Sequence, residues 1–146
     1  MRTNTITILL CLGILASTTS MNAYATTATD QTIAEALSEK TRATIEEIKQ
    51  YSVESKEIAG EKAKEIIADA DARIKILEDA TADKTNNMSD SMRDAKIKTI
   101  VKLKEKRQSL QNWYQKFHNS SKDAWDEIKQ GFIKSYDSFQ YTYKNS

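Results

Sequence analysis

The sequence has no proline, three glycines and a single cysteine among its 146 residues. Proline and glycine supply many of the sharp turns that a β-rich fold needs, so their scarcity favours long helices over a sheet. Cys11 lies in an apolar N-terminal run, which leaves the rest of the chain without thiol, disulfide or sulfur-metal chemistry. A charged content of 29% beside 39% hydrophobic residues is typical of exposed helices that bury a narrow apolar stripe.

The N-terminus has the pattern of a secretory signal peptide. Arg2 precedes an apolar run, Ile6 to Ala16, which is well short of the roughly 20 residues that span a bilayer. The tripeptide Ala23-Tyr24-Ala25 supplies the small residues that signal peptidase requires, and it predicts cleavage after Ala25. We therefore expect residues 1–25 to be removed and residues 26–146 to form one exported domain, in the periplasm of a Gram-negative cell or otherwise secreted.

Charge is balanced over residues 26–146 but not along them. Residues 26–83 hold 14 acidic and 8 basic residues, residues 84–119 hold 3 acidic and 9 basic, and residues 120–146 hold 4 of each. The excess of acidic residues in the first segment equals the excess of basic residues in the second. This favours antiparallel pairing of the two segments, because complementary charge selects both the partner and its orientation.

Apolar and small residues recur every three or four positions along three segments, which is the periodicity of amphipathic helices. The predicted helices span about 31–82, 89–118 and 121–143. Ser89 or Asp90 is placed as the N-cap of the second helix, and Ser120 as that of the third. The first stripe weakens at Ser52 and Ser55, so the continuity of that helix between Tyr51 and Gly60 is left open.

Helix lengths complete the fold prediction. The first helix is about as long as the second and third together at about 1.5 Å per residue, so the chain can go out once and return along itself. The pairs Asp69–Arg73 and Asp71–Lys75 are expected at i,i+4 on its outer face. The expected fold is all-α: a long antiparallel helical hairpin with a third, C-terminal amphipathic helix, forming an elongated three-helix bundle or coiled coil.

Two stretches resemble uncharacterised bacterial secreted coiled-coil proteins, some of which are loosely called apolipoprotein-like. The stretch from Asn112 to Phe132 contains a Trp-Tyr pair, a Ser-Ser cap and a Trp-x-x-aliphatic-Lys-x-Gly-Phe helix that recur in that family. Tyr51-Ser52-Val53-Glu54 is similar to a Tyr-Ser-x-Glu element of its first helix. The resemblance implies export and a helical fold, and it implies no activity.

Few residues offer catalytic or metal-binding chemistry. His118 is the only histidine, and the sequence pattern offers it neither a nucleophile nor further metal ligands, so a contact with the helix dipole explains it better. Met88 and Met92 could offer two thioethers to Cu(I), but this is a weak ligand set and core packing explains the pair better. We predict no enzymatic activity, cofactor or metal site.

The strongest charge feature is a basic run on the second helix. Its cations are Lys96, Lys98, Lys102, Lys104, Lys106 and Arg107. Such a helix can lie on an anionic membrane surface, or its cations can pair with the acidic first helix. A nucleic-acid partner is not expected, because export separates the chain from most nucleic acid.

An aromatic stripe on the third helix presents the same choice between core and interface. Its members are Trp125, Phe132, Tyr136, Phe139 and Tyr143. The stripe either packs on the other helices or offers a face to a membrane, a protein partner or a second copy of the chain. The favoured hypothesis is a non-enzymatic exported protein that acts by protein-protein interaction or as a structural component of the cell envelope. The alternative is a peripheral, apolipoprotein-like lipid-binding protein.

Overall fold

The computed structural model describes residues 22–83 and 87–146, and within them it contains helices and no β-strand. The helices are α1 (Asn22–Gln50), α2 (Lys56–Ala82), α3 (Asp90–His118) and α4 (Trp125–Lys144). A 3-10 turn, Val53–Ser55, joins α1 to α2. The all-α prediction is confirmed for these residues, whereas most of the predicted signal peptide, residues 1–21, lies outside the described part of the chain.

The predicted first helix is two helices, so the predicted three-helix count is wrong. α1 ends at Gln50, and Ser52 adopts an extended conformation (φ −83°, ψ 173°) before the 3-10 turn. The amide of Ser55 donates to the carbonyl of Ser52 at 3.0 Å, which closes the turn. The interruption therefore falls at the two serines where the apolar stripe is weakest.

Contacts between helices define an up-and-down four-helix bundle. In each contacting pair of helices, residue numbers rise along one helix while they fall along the other. The pairs are Thr41–Asp69 and Glu47–Lys62 between α1 and α2, Glu57–His118 and Asp71–Arg107 between α2 and α3, Ser109–Ser135 and Phe117–Trp125 between α3 and α4, and Ser38–Gln140 and Lys49–Lys129 between α1 and α4. Two helical hairpins thus replace the single long hairpin that was predicted.

The predicted pairing of acidic and basic segments occurs between α2 and α3. Arg107 Nε lies 2.7 Å from Asp71 Oδ1, and Lys104 Nζ lies 2.6 Å from Glu78 Oε1. Asp71 is thus engaged by α3 rather than by Lys75, contrary to the predicted outer-face pair. Both ion pairs are partly exposed, so they orient the helices more than they stabilise them.

The hydrophobic core draws on all four helices. Its members are Ile45, Ile48, Ala59, Ala63, Ile66, Ile67, Ala70, Ile74, Ile100, Leu103, Leu110, Phe117, Trp125, Ile128, Phe132, Tyr136 and Phe139. Three of the α2 members, Ala59, Ala63 and Ala70, are at most 2% exposed, and their small side chains let neighbouring helices approach closely. Most of the core lies on the predicted apolar stripes.

One predicted helix cap is confirmed and the other is wrong. Ser89 Oγ accepts a hydrogen bond from the amide of Met92 at 3.3 Å, which satisfies a free N–H at the start of α3. Ser120 Oγ instead donates to the carbonyl of Phe117 at 2.6 Å, so it closes α3. α4 begins at Trp125, later than predicted.

Candidate binding groove at the open end of the bundle

One end of the bundle is closed by lysines that bind helix C-terminal carbonyls, and we call it the capped end. Lys129 Nζ of α4 donates to the carbonyls of Lys49 and Tyr51 at 3.2 and 3.1 Å. Lys56 Nζ of α2 donates to the carbonyl of His118 at 3.2 Å. These ammonium groups supply partners for carbonyls left over at the ends of α1 and α3, and their charge opposes the negative end of each helix dipole.

Aromatic rings fill the capped end beneath these lysines. Phe117 packs edge-on against Trp125 and Phe132, with ring centroids 5.3 and 5.5 Å apart. The indole Nε1 of Trp125 donates to the carbonyl of Tyr51 at 3.0 Å, so the polar edge of this buried ring is satisfied. The three rings are at most 3% exposed, so they belong to the buried core at the capped end.

The opposite end contains a groove of about 810 Å³ between the middle of α1, the end of α2, the start of α3 and the end of α4. Its apolar lining consists of Ala34, Ile76, Leu77, Ala80, Met88, Met92 and Tyr143. Met92 is 56% exposed, which departs from the core position expected for it, and Met88 is half-buried. The volume falls within the roughly 300–1,000 Å³ typical of small-molecule sites.

Charged side chains also line the groove. Lys96 of α3 and Lys144 of α4 contribute two cations, and Glu35 of α1 contributes one carboxylate. Neither lysine forms an ion pair with residues 32–83 or 87–146, whose side chains the structure describes, whereas Lys104 on the same helix as Lys96 pairs with Glu78. The described side chains of the groove thus combine apolar walls with two cations and one carboxylate.

A buried arginine lies behind the inner wall of the groove. Arg73 is 0% exposed, so its predicted place on the outer face of the first helix is wrong. Its Nη1 donates to Oε1 of Gln140, and Nε2 of Gln140 donates to Oγ of Ser38. Its Nη2 donates to Oγ1 of Thr41 at 3.2 Å. Because Gln140 and Ser38 line the groove, their hydrogen bonds connect the groove wall to the buried cation.

The surroundings of Arg73 compensate its charge only in part. Its guanidinium carbon lies 6.0 and 5.5 Å from the ring centroids of Phe139 and Tyr143, within cation–π range. Asp69 reaches it through the hydroxyl of Thr41 rather than directly, and its Nε has no hydrogen-bond partner among the described residues. Burial raises the pKa of the nearby Tyr136 phenol, while the Arg73 guanidinium acts to lower that pKa.

The predicted basic surface is divided among several environments. Lys104 and Arg107 pair with α2, and Lys96 lines the groove. Lys98 and Lys102 are exposed on the outer face of α3, and Lys106 is partly exposed. Two exposed aliphatic side chains accompany them, Ile97 (48%) and Val101 (52%). The six cations therefore do not form one continuous patch.

The predicted aromatic surface is part of the core. Trp125, Phe132, Tyr136 and Phe139 are at most 4% exposed, so they are not available to a partner in this fold. Tyr143 is half-buried and lines the groove. The most exposed ring of α4 is Tyr141, at 73%. Packing against the other helices is thus the correct alternative for this stripe.

His118 lies where the sequence placed it, at the C-terminal end of α3. Its Nδ1 is 3.1 Å from Oε2 of Glu57, and the ring packs edge-on against Tyr114 with centroids 5.8 Å apart. In the described ranges, no group of three or more His, Cys, Asp or Glu residues could hold a metal ion. No helix in those ranges is long and apolar enough to cross a bilayer.

Sequence reasoning missed the groove and the burial of Arg73. A charged residue predicted to pair with Asp69 on the outer face gives no periodic sign that it points inward, and the groove arises only where segments of four helices meet. No protein-family model, curated protein or solved structure matched this chain. The resemblance to secreted coiled-coil proteins therefore stays a prediction.

Proposed function

We propose that this chain is a non-enzymatic, exported helical protein of the cell envelope that acts by binding, with the groove as its binding site. The proposal is supported by the contrast between the two ends of the bundle. Lysines and aromatic rings close the capped end, whereas apolar side chains line an opening at the other end.

The exposed apolar lining of the groove carries the proposal. Met92 is 56% exposed at the groove, and the half-buried side chains of Met88 and Tyr143 share its lining. Removing apolar surface from water gains about 25 cal/mol per Å², so an apolar group that covers these side chains binds favourably. Methionine side chains are flexible and polarizable, which suits a site that adapts to its ligand.

A dye titration with matched variants tests this site. We expect the exported protein to bind an anilinonaphthalene sulfonate dye with increased fluorescence, and Met92→Gln to weaken that binding several-fold, because the amide is less favourable against an apolar group. Ile97→Gln is the control, since Ile97 is 48% exposed on the same helix but does not line the groove. Equal weakening by both substitutions, or no dye binding, would contradict a binding function for the groove.

A second candidate function is peripheral binding to an anionic membrane surface through the outer face of α3. Ile97 and Val101 are 48% and 52% exposed beside the exposed Lys98 and Lys102, a combination found on interfacial helices. Co-sedimentation with phosphatidylglycerol vesicles tests it, with phosphatidylcholine vesicles as the control. The candidate fails if the protein stays in the supernatant, or if Ile97→Gln with Val101→Gln leaves binding unchanged.

Export is the part of the proposal that rests on the N-terminal pattern. The positive charge of Arg2, the short apolar run and Ala23-Tyr24-Ala25 support removal of residues 1–25. Cell fractionation with mass spectrometry of the N-terminus tests it. A mature chain that begins at Thr26 in the periplasmic fraction is expected, and an unprocessed cytosolic chain would contradict export.

A further inference from the structure

We infer that the groove takes a single-chain amphiphile with an anionic head group, such as a long-chain carboxylate, held by Lys96 and Lys144. This inference rests on the proposed binding function of the groove and specifies its ligand. It follows from two properties of the described lining that occur together, apolar side chains and two lysines that form no ion pair with a described residue.

The apolar part of the lining fits a hydrocarbon chain. Ile76, Leu77 and Ala80 come from one face of α2, and Met88 and Met92 come from the start of α3. Thioether side chains repack around chains of different length at little cost, because they are unbranched and have several rotatable bonds. A groove of about 810 Å³ that is lined by residues of all four helices accommodates one such chain.

The charged part of the lining fits an anion. Lys96 and Lys144 form no ion pair with a described side chain, and Glu35 is the one acidic side chain in the described lining. An anionic head group that binds both ammonium groups supplies the charged partner that these two side chains lack there. A cationic head group would meet like charges and is disfavoured.

The arginine behind the groove wall adds to this preference. Arg73 is fully buried, and it reaches the groove lining through Gln140, whose Oε1 accepts from Nη1. Its charge is offset in part, by Asp69 through the Thr41 hydroxyl and by the nearby rings of Phe139 and Tyr143. A buried cation is screened by the surroundings much less than an exposed one, so it favours an anion at the adjacent wall.

Calorimetric titration with three amphiphiles of equal chain length tests the inference. The ligands are hexadecanoate, hexadecanol and hexadecyltrimethylammonium, each used below its aggregation concentration with the exported protein. We expect hexadecanoate to bind at least about tenfold more tightly than the alcohol, and the quaternary ammonium to bind most weakly. Lys96→Gln with Lys144→Gln should reduce hexadecanoate affinity about tenfold and leave hexadecanol affinity unchanged.

Lys102→Gln is the matched control, because Lys102 is exposed on α3 and does not line the groove. If hexadecanoate and hexadecanol bind equally, or if Lys102→Gln has the same effect as the groove variants, the head-group inference is overturned while a binding function of the groove stands. If none of the three ligands binds and the dye does not bind either, both proposals fail. If binding occurs only to vesicles of diacyl phosphatidylglycerol, the inference is overturned in favour of membrane binding.

Discussion

The indole ring of Trp113 lies directly over the Cα of Gly131, so that a Cβ at position 131 would be 2.6 Å from three of its ring atoms. Real Cβ atoms are not found so close to other heavy atoms, and any side chain larger than hydrogen must displace the ring. Lys116 Nζ lies 3.9 Å from the centroid of the same ring, so displacement also disturbs a cation–π contact. Close packing of α3 on α4 therefore requires glycine here.

Gly131→Ala should destabilise the protein, whereas Gly60→Ala should not. We expect the first substitution to lower the free energy of unfolding by about 1–3 kcal/mol because of overpacking. A Cβ at Gly60 would lie 3.6 Å from Cε1 of His118, an ordinary contact, so alanine there should stabilise the helix by about 0.5–1 kcal/mol. Urea denaturation followed by circular dichroism measures both, and equal effects of the two substitutions would contradict the close approach.

The Arg73–Gln140 hydrogen bond should couple α2 to α4. Gln140→Leu leaves Nη1 of a fully buried guanidinium without its acceptor, which should cost about 1–3 kcal/mol. In an Arg73→Met background the same change should cost much less, because no buried donor remains to be satisfied. Gln108→Leu is the control, since Gln108 is exposed on α3, and its effect should stay within about 0.5 kcal/mol.

A double-mutant cycle of urea denaturation curves measures this coupling. Strictly additive effects of Arg73→Met and Gln140→Leu would show that the hydrogen bond does not contribute to the fold. A coupling free energy of about 0.5–3 kcal/mol is the expected range for residues in one network.

Tyr136 should make the protein less stable at high pH. Burial raises its pKa in the folded chain, while tyrosine in an unfolded chain ionises near about pH 10. Below that pH both states keep the phenol proton, so Tyr136 adds no pH dependence. Above it the unfolded state binds fewer protons than the folded state, so the free energy of unfolding falls as the pH rises toward the folded pKa.

Tyr136→Phe should therefore reduce the loss of stability between about pH 9 and about pH 11. Urea midpoints across that range measure the effect. Tyr141→Phe provides the control, because the Tyr141 ring is 73% exposed and the pH dependence should stay that of the unsubstituted protein. Identical pH dependence for all three proteins would contradict the assignment to Tyr136.

The fold was predictable from the sequence where a local pattern determines it. Ile45, Ile48, Ala63 and Ile74 lie on the predicted stripe and are buried, because periodicity alone selects the inward face of a helix. The reversal at Ser52 was not predictable, since a weak stripe is compatible with a bend as well as with a complete turn. Only the packing of α1 on α2 distinguishes the two.

The candidate site was less predictable than the fold. Lys96 was identified as part of a basic run, but its place at a groove depends on where α4 ends. Arginine is a residue type that is usually found at the surface. The burial of Arg73 depends on hydrogen bonds with Thr41 and Gln140, which come from two other helices. Residues that are distant in sequence create this environment, and no local pattern indicates it.

Lys129 should stabilise the capped end more than an ordinary surface lysine. Its side chain is only 14% exposed, and its Nζ donates to the carbonyl of Lys49 near the end of α1 and to that of Tyr51 just beyond it. Lys129→Met keeps the aliphatic part but removes this donor from the Lys49 carbonyl and leaves the Tyr51 carbonyl with the Trp125 indole, so we expect a loss of about 1–2 kcal/mol. Lys134→Met on the same helix is the control, because Lys134 is exposed and its replacement should change stability by less than about 0.5 kcal/mol.

Thermal unfolding of these two variants at low and high salt separates the contributions of Lys129. The effect of its charge on the helix dipole should weaken with added salt, whereas the loss of two hydrogen bonds at a nearly buried ammonium should persist. A destabilisation that disappears entirely at high salt would show that Lys129 acts only through long-range charge. Equal stability of the two lysine variants would show that the capped end does not depend on this contact, and the contrast between the two bundle ends would then rest on Lys56 and on aromatic packing.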